Sequence, residues 1–507
     1  MADPIRPEDR SAEIESTEDP LATLEDGASE AGRPGDRIQD PLLGRVPAGP
    51  DVEPHVDELL KGETRDGQPA TGGAPAGRTT LDEAKKRGPL AFLQLLGPGL
   101  ITGASDDDPS GIGTYSQVGS QFGYGMLWMA LFTFPMMAAI QELCARIALQ
   151  TGVGLGIALR RKFPTWLVGI CVLGLLAANT INLGADLGAV ALGGSMLTRG
   201  FIHQSWLVVP VAGLILYLQF FVTYQVIFRV FKWLTLALFA YVVTMFLAHP
   251  ALIDVVKGTF IPHIEFSRAF ITAMVAVLGT TISPYLFFWQ ASAEVDEMRA
   301  AGLKNESARQ GVKQQELRAA QTDILIGMAF SQIVMYAIIL TSAAVLHAHG
   351  KTDVQSADQA AQALAPFLGP FAFIAFAVGM IGTGLLAIPI LSGSAAYALK
   401  EFMGWKGRLA TKPRYRPTFY AIIAAATLAG LAINFIHIDP IRALFWTAVI
   451  NGMVAPPLMI LIVLLGSDRT FMKDKVSGWL SKTLTWAGTV SMTAAALALL
   501  VTTFVIR

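Results

Sequence analysis

The sequence is poor in charged residues and in cysteine. Only 15% of its 507 residues are Asp, Glu, Lys or Arg, whereas about a quarter is usual for a soluble protein. This deficit, together with repeated long apolar runs, excludes an ordinary soluble domain and indicates a polytopic membrane protein. The two cysteines, Cys144 and Cys171, both lie in apolar runs. The sequence therefore offers neither a disulfide framework nor a cysteine-based metal site.

The chain also lacks the short motifs of common hydrolases and nucleotide-driven pumps. It contains no His-Glu-X-X-His zinc motif, no Walker phosphate-binding loop and no nucleophile motif. An enzyme activity and transport driven by ATP hydrolysis are both disfavoured, and no cofactor is expected.

The amino-terminal part differs in composition from the rest. Residues 1–85 are rich in Asp, Glu, Gly, Pro and Arg, with few aromatic residues, which predicts a disordered tail. No apolar segment follows Met1, so no signal peptide is predicted. Residues 86–507 are predicted to form an all-α transmembrane domain of about eleven helices. The predicted spans lie near residues 89–119, 122–150, 164–198, 205–223, 230–249, 268–293, 322–347, 367–399, 417–436, 440–466 and 484–506.

Lysine and arginine are concentrated in alternate loops of this arrangement. The basic loops lie near residues 160–162, 229–232, 299–318, 400–416 and 469–482. Cytoplasmic loops of membrane proteins carry such an excess. The sequence therefore predicts a multi-pass protein of a bacterial inner membrane, with its amino terminus in the cytoplasm.

The first predicted span contains a polar break, Asp106-Asp107-Asp108-Pro109-Ser110-Gly111. A charge at the bilayer centre costs about 3 kcal/mol or more, and proline removes a backbone donor. Such a break is tolerated only where it is buried in protein or lines a cavity. The sixth span is interrupted at Gly279-Thr280-Thr281-Ile282-Ser283-Pro284. Two matching breaks five spans apart predict an inverted repeat of five helices, with a substrate site between them at the bilayer midplane. The predicted repeats cover about 89–249 and 265–466, and the helix near 484–506 is extra.

Four motifs resemble the NRAMP divalent-metal transporters. Residues 108–114 resemble the Asp-Pro-Gly-Asn motif of their first span, and residues 279–285 resemble the sixth-span motif in which Met-Pro-His usually stands. Residues 141–152 look like their second-span signature, and residues 185–188 look like their third-span Asp-Leu-Ala motif. The resemblance runs from about residue 90 to 475. It implies the LeuT-type fold and transport of divalent metal ions, commonly with protons.

The resemblance also implies a role for individual residues. Asp108 falls where the family has its metal-binding Asp, and Gly111 falls where it has a metal-binding Asn. Ser283 replaces the family's Met, and the carbonyl of Thr280, freed by the break, is a further oxygen ligand. For Asp108 the alternative is a carboxylate that caps the following half-helix. For Ser283 the alternative is a small packing residue at a helix interface.

Other positions depart from the family on its proton route. Tyr285 stands where the family has His, whereas Asn179 and Ala189 stand where it has acids. Asp186 is retained. Asp106 and Asp107 have no counterpart in the family motif. These two acids either add negative potential to the vestibule or mark the inner end of the first half-helix, and the sequence leaves both readings open.

The missing Met and His determine the predicted substrate. A thioether suits soft transition metals, whereas hydroxyl, carbonyl and water oxygens suit Mg²⁺. The pattern resembles the NRAMP-related magnesium transporters. It predicts transport of Mg²⁺, and also of Mn²⁺, by alternating access without obligatory proton coupling. The alternatives are a proton-coupled Mn²⁺ or Fe²⁺ symporter and a LeuT-fold carrier of an organic solute. The expected partners are the cation and the lipid bilayer, and no nucleic acid is expected.

Overall fold

A computed structural model describes residues 97–222, 237–354, 356–405, 407–409, 413–436 and 438–504. The predicted disordered tail, residues 1–85, lies outside the described residues, as does the start of the first predicted span. The described chain is almost entirely helical. Its longer helices are α1 (Pro98–Asp106), α2 (Pro109–Phe122), α3 (Trp128–Thr151), α4 (Leu155–Lys162), α5 (Thr165–Leu197), α6 (Gln204–Phe221), α7 (Phe239–Leu247), α8 (Leu252–Phe260), α9 (Arg268–Thr281), α10 (Pro284–Ala300), α11 (Gln314–Val345), α12 (Ala372–Met403), α13 (Pro417–Ile433), α14 (Pro440–Gly466) and α15 (Trp479–Phe504).

Nine helical stretches within the described ranges are long and apolar enough to cross a membrane. They coincide with nine of the eleven predicted spans. The first predicted span is divided between α1 and α2, and each half alone is too short to cross. The fifth is described only from residue 237, where α7 follows. The protein is thus a multi-pass membrane protein.

Both predicted breaks are present, and a proline begins the second half of each broken span. Helix α1 ends at Asp106 and α2 begins at Pro109, while α9 ends at Thr281 and α10 begins at Pro284. A proline at the first helical position is favourable because that position needs no intrahelical N–H donor. The same missing N–H deprives the carbonyl four residues earlier of its helical partner. At the second break, that carbonyl belongs to Thr280.

The half-helix α1 packs on α11 with their backbones in direct contact. A Cβ atom built on Gly103 would lie 2.2 Å from the carbonyl oxygen of Gly327, and one on Gly99 would lie 2.5 Å from the backbone nitrogen of Ile324. Only glycine permits this approach, so the first half-helix lies directly against α11. Elsewhere, α5 packs extensively on α12 and α14. Helix α5 also reaches the first break, where Asn182 donates a hydrogen bond to Asp108.

Some helices extend beyond the predicted spans. Helix α10 continues to Ala300 and α11 already begins at Gln314, so much of the polar segment between the sixth and seventh spans is helical. The short helices α4 and α8 were not predicted as spans, and neither is long enough to cross a bilayer. In α8, four of the nine positions carry an exposed large apolar side chain: Leu252, Ile253, Val256 and Phe260.

Candidate functional site

Asp108 lies at the junction of the two halves of the first broken span. Its backbone is extended, with φ −71° and ψ 171°, and it is the N-cap of α2. Its Oδ1 atom accepts hydrogen bonds from the backbone N–H of Gly111 at 2.8 Å and from the hydroxyl of Ser110 at 2.6 Å. The capping alternative is therefore observed. The cap uses only Oδ1 of Asp108, so Oδ2 can take part in a second interaction.

The other oxygen of Asp108 meets helix α5. Asn182 donates from Nδ2 to Asp108 Oδ2 at 3.1 Å, while its own Oδ1 has no hydrogen-bond partner among the described residues. Asp186 lies one turn further along α5, is fully buried, and has no described partner for either carboxylate oxygen. Helix α5 thus brings an amide oxygen and a carboxylate to the side of the break at which Asp108 lies.

The second break contributes hydroxyl and carbonyl oxygens. The Thr280 hydroxyl lies 3.3 Å from the Ser110 hydroxyl, which joins the two breaks. Ser283 donates from Oγ to the carbonyl of Thr280 at 2.7 Å and also lies 3.1 Å from the carbonyl of Gly279. The carbonyl of Thr280 was predicted to be free. It instead accepts a side-chain hydrogen bond, because a neighbouring hydroxyl replaces the N–H that Pro284 lacks.

Gly111 lies closely packed between the two breaks. A Cβ atom at this position would lie 3.6 Å from the Thr280 hydroxyl and 3.2 Å from the ring of Tyr115. The backbone of Gly111 donates to Asp108, but the residue has no side-chain oxygen to offer. A larger residue here would extend towards the groups that surround Asp108.

Tyr285 does not contact Asp108 through a hydrogen bond. Its hydroxyl donates to the carbonyl of Ser105 at 2.9 Å, and its carbonyl accepts a hydrogen bond from Ser394 at 2.6 Å. The side chain is fully buried. The hydrogen bond of Tyr285 to Ser105 therefore connects α10 to the last turn of α1.

Asp106 and Asp107 contact α11. The hydroxyl of Ser331 lies 2.7 Å from Asp106 Oδ2 and 3.2 Å from Asp107 Oδ1. Both acids are buried. No ion pair joins either of them to a Lys, Arg or His among the residues that the structure describes. In that part of the chain, no three His, Cys, Asp or Glu side chains are grouped closely enough to hold a metal ion by themselves.

Three residues near the breaks have contacts that their sequence positions did not predict. Asn182 was visible as a polar residue four positions before Asp186, a spacing that places both on one face of a helix. Ser110 lies within the motif itself. Ser331 gave no signal, because a single serine in an apolar helix is common.

Residues 99–502 match the model of the Nramp family, described as natural resistance-associated macrophage protein-like. The chain belongs to the Nramp family. A divalent metal cation transporter MntH from Xanthomonas campestris is 29% identical over 435 residues, which cover 83% of this chain and 93% of that relative. Another MntH, from Caldanaerobacter subterraneus, is 25% identical over 384 residues, covering 76% and 87%.

Two solved structures share the fold of this chain. A variant of the Eremococcus coleocola manganese transporter superposes with a TM-score of 0.66 at 15% identity, covering 86% of this chain and 91% of that one. The nucleobase-cation-symport-1 family transporter Mhp1 superposes with a TM-score of 0.50 at 16% identity, covering 81% and 94%. The predicted LeuT-type fold with broken first and sixth helices is thereby confirmed.

Proposed function

We propose that this Nramp protein carries divalent metal cations across the membrane, with Mg²⁺ as its principal substrate and Mn²⁺ as a further one. The observation that carries the proposal is the composition of the groups around Asp108. A carboxylate, an amide, three hydroxyls and a carbonyl converge where two helices are broken. Half-helix ends of this kind form ion sites in transporters of inverted-repeat architecture.

The atoms in this group that can coordinate a metal ion are oxygens, namely those of the Asp108 carboxylate, the Asn182 amide, the carbonyl of Thr280 and the hydroxyls of Ser110, Thr280 and Ser283. Mg²⁺ prefers oxygen ligands in octahedral geometry and retains several waters. Asp108 contacts the ion directly or through water, and the carbonyl of Thr280 and the hydroxyl of Ser283 complete one side. Asp186 adds negative charge from α5, whereas Tyr285 supports the site by fastening α10 to α1.

A second candidate function is proton-coupled transport of Mn²⁺. It is favoured by the names of the relatives, which include MntH proteins and a manganese transporter. It is opposed by Tyr285, which occupies the position of the family's His and is engaged with Ser105. A LeuT-fold carrier of an organic solute is a weaker candidate, because the four buried acids, Asp106, Asp107, Asp108 and Asp186, would repel an anionic solute.

Uptake into proteoliposomes tests the proposal directly. Purified protein is reconstituted, and uptake of Mg²⁺ is followed with a lumenal dye while Mn²⁺ or Ca²⁺ competes outside. We expect saturable Mg²⁺ uptake that Mn²⁺ inhibits more strongly than Ca²⁺ does. Uptake of Mn²⁺ with no detectable Mg²⁺ uptake would favour the second candidate. Absence of uptake for every divalent ion would contradict both.

A further inference from the structure

Helix α8, which lies between the fifth and sixth predicted spans, exposes an apolar arc. Successive residues of an α-helix are rotated by about 100°, so the side chains at positions 252, 253, 256 and 260 all lie within about 100° of one another. These four side chains, which form the apolar arc, are large and exposed: Leu252 (74%), Ile253 (70%), Val256 (55%) and Phe260 (68%). The charged residues of the helix, Asp254 and Lys257, are also exposed and lie beside this arc. The exposed surface of α8 is thus divided into an apolar part and a charged part.

The remaining side of α8 contacts the protein and fixes the rotation of the helix. The hydroxyl of Thr259 lies 2.8 Å from the hydroxyl of Tyr336 on α11. A Cβ atom built on Gly258 would lie 2.2 Å from the carbonyl oxygen of Tyr124, in the turn Gly123–Met126 between α2 and α3. Because these contacts hold one side of α8, the apolar arc points away from the protein.

The segment after α8 contacts the ends of both broken spans that are farthest from the breaks. Phe122 is the last residue of α2 and Phe270 lies in the first turn of α9, and their ring centroids are 5.3 Å apart. The ring of His263, three residues after α8, packs edge-on against Phe270 with a centroid distance of 6.3 Å. Helix α8 and the residues that follow it are therefore packed where these two half-helices end.

The position of α8 in the chain places it at the membrane boundary. It has nine residues, which extend about 13 Å, so it is too short to cross a bilayer. It follows α7, whose last two residues, Phe246 and Leu247, are apolar and exposed, and it precedes Arg268–Ala300, one of the stretches long enough to cross. The exposed polar side chains of His263 and Glu265 come shortly after α8. The apolar arc therefore continues the lipid-facing surface of its neighbours at a level where polar side chains begin.

We infer that α8 is a membrane-surface helix, whose apolar arc inserts into one lipid leaflet at the boundary between headgroups and acyl chains. Helices with one apolar and one charged face bind lipid in this orientation. The bilayer is the occupant because it already surrounds the spans on either side of α8, while the charged part of the helix stays in water. The distribution of Lys and Arg predicts that this leaflet is the outer one. The inference goes beyond the proposed function, since it does not depend on the transported ion.

Fluorescence quenching tests the orientation of α8 in a bilayer. Full-length protein carrying Val256→Cys, near the centre of the apolar arc, is labelled with a thiol-reactive bimane and reconstituted in phosphatidylcholine nanodiscs. Asp254→Cys is the matched control, because the two positions lie about 160° apart on the same helix. We expect lipid with brominated acyl chains to quench the label at position 256 several-fold more than the label at position 254. Aqueous iodide should quench the two labels in the opposite order.

A second pair of variants and a background measurement complete the experiment. Leu252→Cys and Lys257→Cys repeat the comparison at positions about 140° apart, so the result does not depend on one pair of substitutions. All four positions are exposed, and replacing them should leave the fold intact. The native cysteines are buried, and labelled wild-type protein gives their background.

Three results would overturn the inference. Iodide quenching at position 256 as strong as at position 254 would show that the apolar arc lies in water. A label at position 256 shielded from both quenchers would show that a second copy of the chain or another protein surface covers the arc. Equal quenching of the two labels by brominated lipid would show that α8 has no lipid-facing side. None of these results would affect the proposed transport function, which uptake into proteoliposomes tests separately.

Discussion

The carboxylate of Asp323, on α11, accepts a hydrogen bond from the backbone N–H of Gly99 at 2.8 Å, although 224 positions separate the two residues. The same carboxylate lies 3.0 Å from the N–H of Gly97 and 3.1 Å from that of Leu100. The first N–H groups of a helix have no partner within the helix, and a negative charge there is favourable. The N-terminal end of α1 is therefore capped by a side chain of another helix.

Removing this cap should loosen α1. In Asp323→Ala, the three N–H groups lose their acceptor, so we expect α1 to separate from α11 more often. A cysteine at Thr102, which is fully buried and bonded to Gln290 at 2.6 Å, reports the separation. Labelling of Thr102→Cys by a water-soluble thiol reagent should be several-fold faster when combined with Asp323→Ala. The native cysteines are both buried and contribute little background.

Asp323→Asn serves as the control for this experiment, because it keeps one oxygen acceptor and should give an intermediate labelling rate. Equal rates in all three backgrounds would show that the cap does not hold α1 in place.

Replacing Asp108 should abolish transport. In Asp108→Ala we expect Mg²⁺ and Mn²⁺ uptake to fall to the level of empty liposomes, because the carboxylate between the two breaks is lost. Asp439→Ala is a matched control, since Asp439 also caps a helix, α14, with bonds to the N–H groups of Ile441 and Arg442. It should retain uptake. Normal uptake by a well-expressed Asp108→Ala protein would show that Asp108 is only a cap.

The side chain at position 283 should influence ion preference. Ser283→Met replaces a hard oxygen, bonded to the carbonyl of Thr280 at 2.7 Å, by a soft sulfur. We expect Cd²⁺ and Mn²⁺ to bind more tightly relative to Mg²⁺, as measured by competition titration. Ser283→Leu has similar bulk without sulfur, so it should lose Mg²⁺ binding without gaining Cd²⁺ binding. Unchanged relative affinities in Ser283→Met would place this residue away from the ion.

Transport should proceed without obligatory proton movement. The hydroxyl of Tyr285 donates to a backbone carbonyl and titrates, when unperturbed, near pH 10. Asn179 and Ala189 cannot titrate at all. A pH-sensitive dye inside proteoliposomes, made permeable to K⁺ by an ionophore, should show no acidification during Mg²⁺ or Mn²⁺ uptake. Metal-dependent acidification would instead support the proton-coupled alternative, with Asp186 of the third span as the candidate proton carrier.

The contact between α1 and α11 should tolerate no side chain. Gly103→Ala would place a Cβ atom 2.2 Å from the backbone of Gly327, and we expect it to lower stability by about 1–3 kcal/mol. Gly213→Ala is the control, because no atom lies within 4 Å of its added Cβ in α6. That variant should be neutral or more stable by up to about 1 kcal/mol. Thermal unfolding in detergent measures both, and equal melting temperatures would contradict the close packing.

Much of the fold could be predicted because its signals are local. Pro109 and Pro284 predict the breaks through the N–H that each lacks, and the long apolar runs predict the spans. The ends of α10 and α11 could not be predicted, since both continue as polar helices beyond any apolar run. The helix α8 was missed for a different reason, because its nine residues are too few for a hydropathy signal.

The candidate site could be predicted only where it lies within the motifs. Asp108, Thr280 and Ser283 were identified because they flank the breaks. The contacts of Ser331 with Asp106 and of Asp323 with Gly99 each join positions more than 220 residues apart. Nothing near Ser331 or Asp323 in the sequence specifies these partners, because they result from the packing of α1 on α11.

The absence of a described positive side chain beside the four buried acids also determines which step of a transport cycle responds to voltage. If Asp106, Asp107, Asp108 and Asp186 are ionised in the empty carrier, its binding residues carry negative charge across the bilayer when they reorient, whereas one bound divalent cation reduces that charge by two. Each charge moved through 100 mV changes the energy by about 2.3 kcal/mol. An inside-negative membrane would then favour the return of the empty site to the outer face, and would oppose the inward step of the loaded site less strongly than that of the empty one.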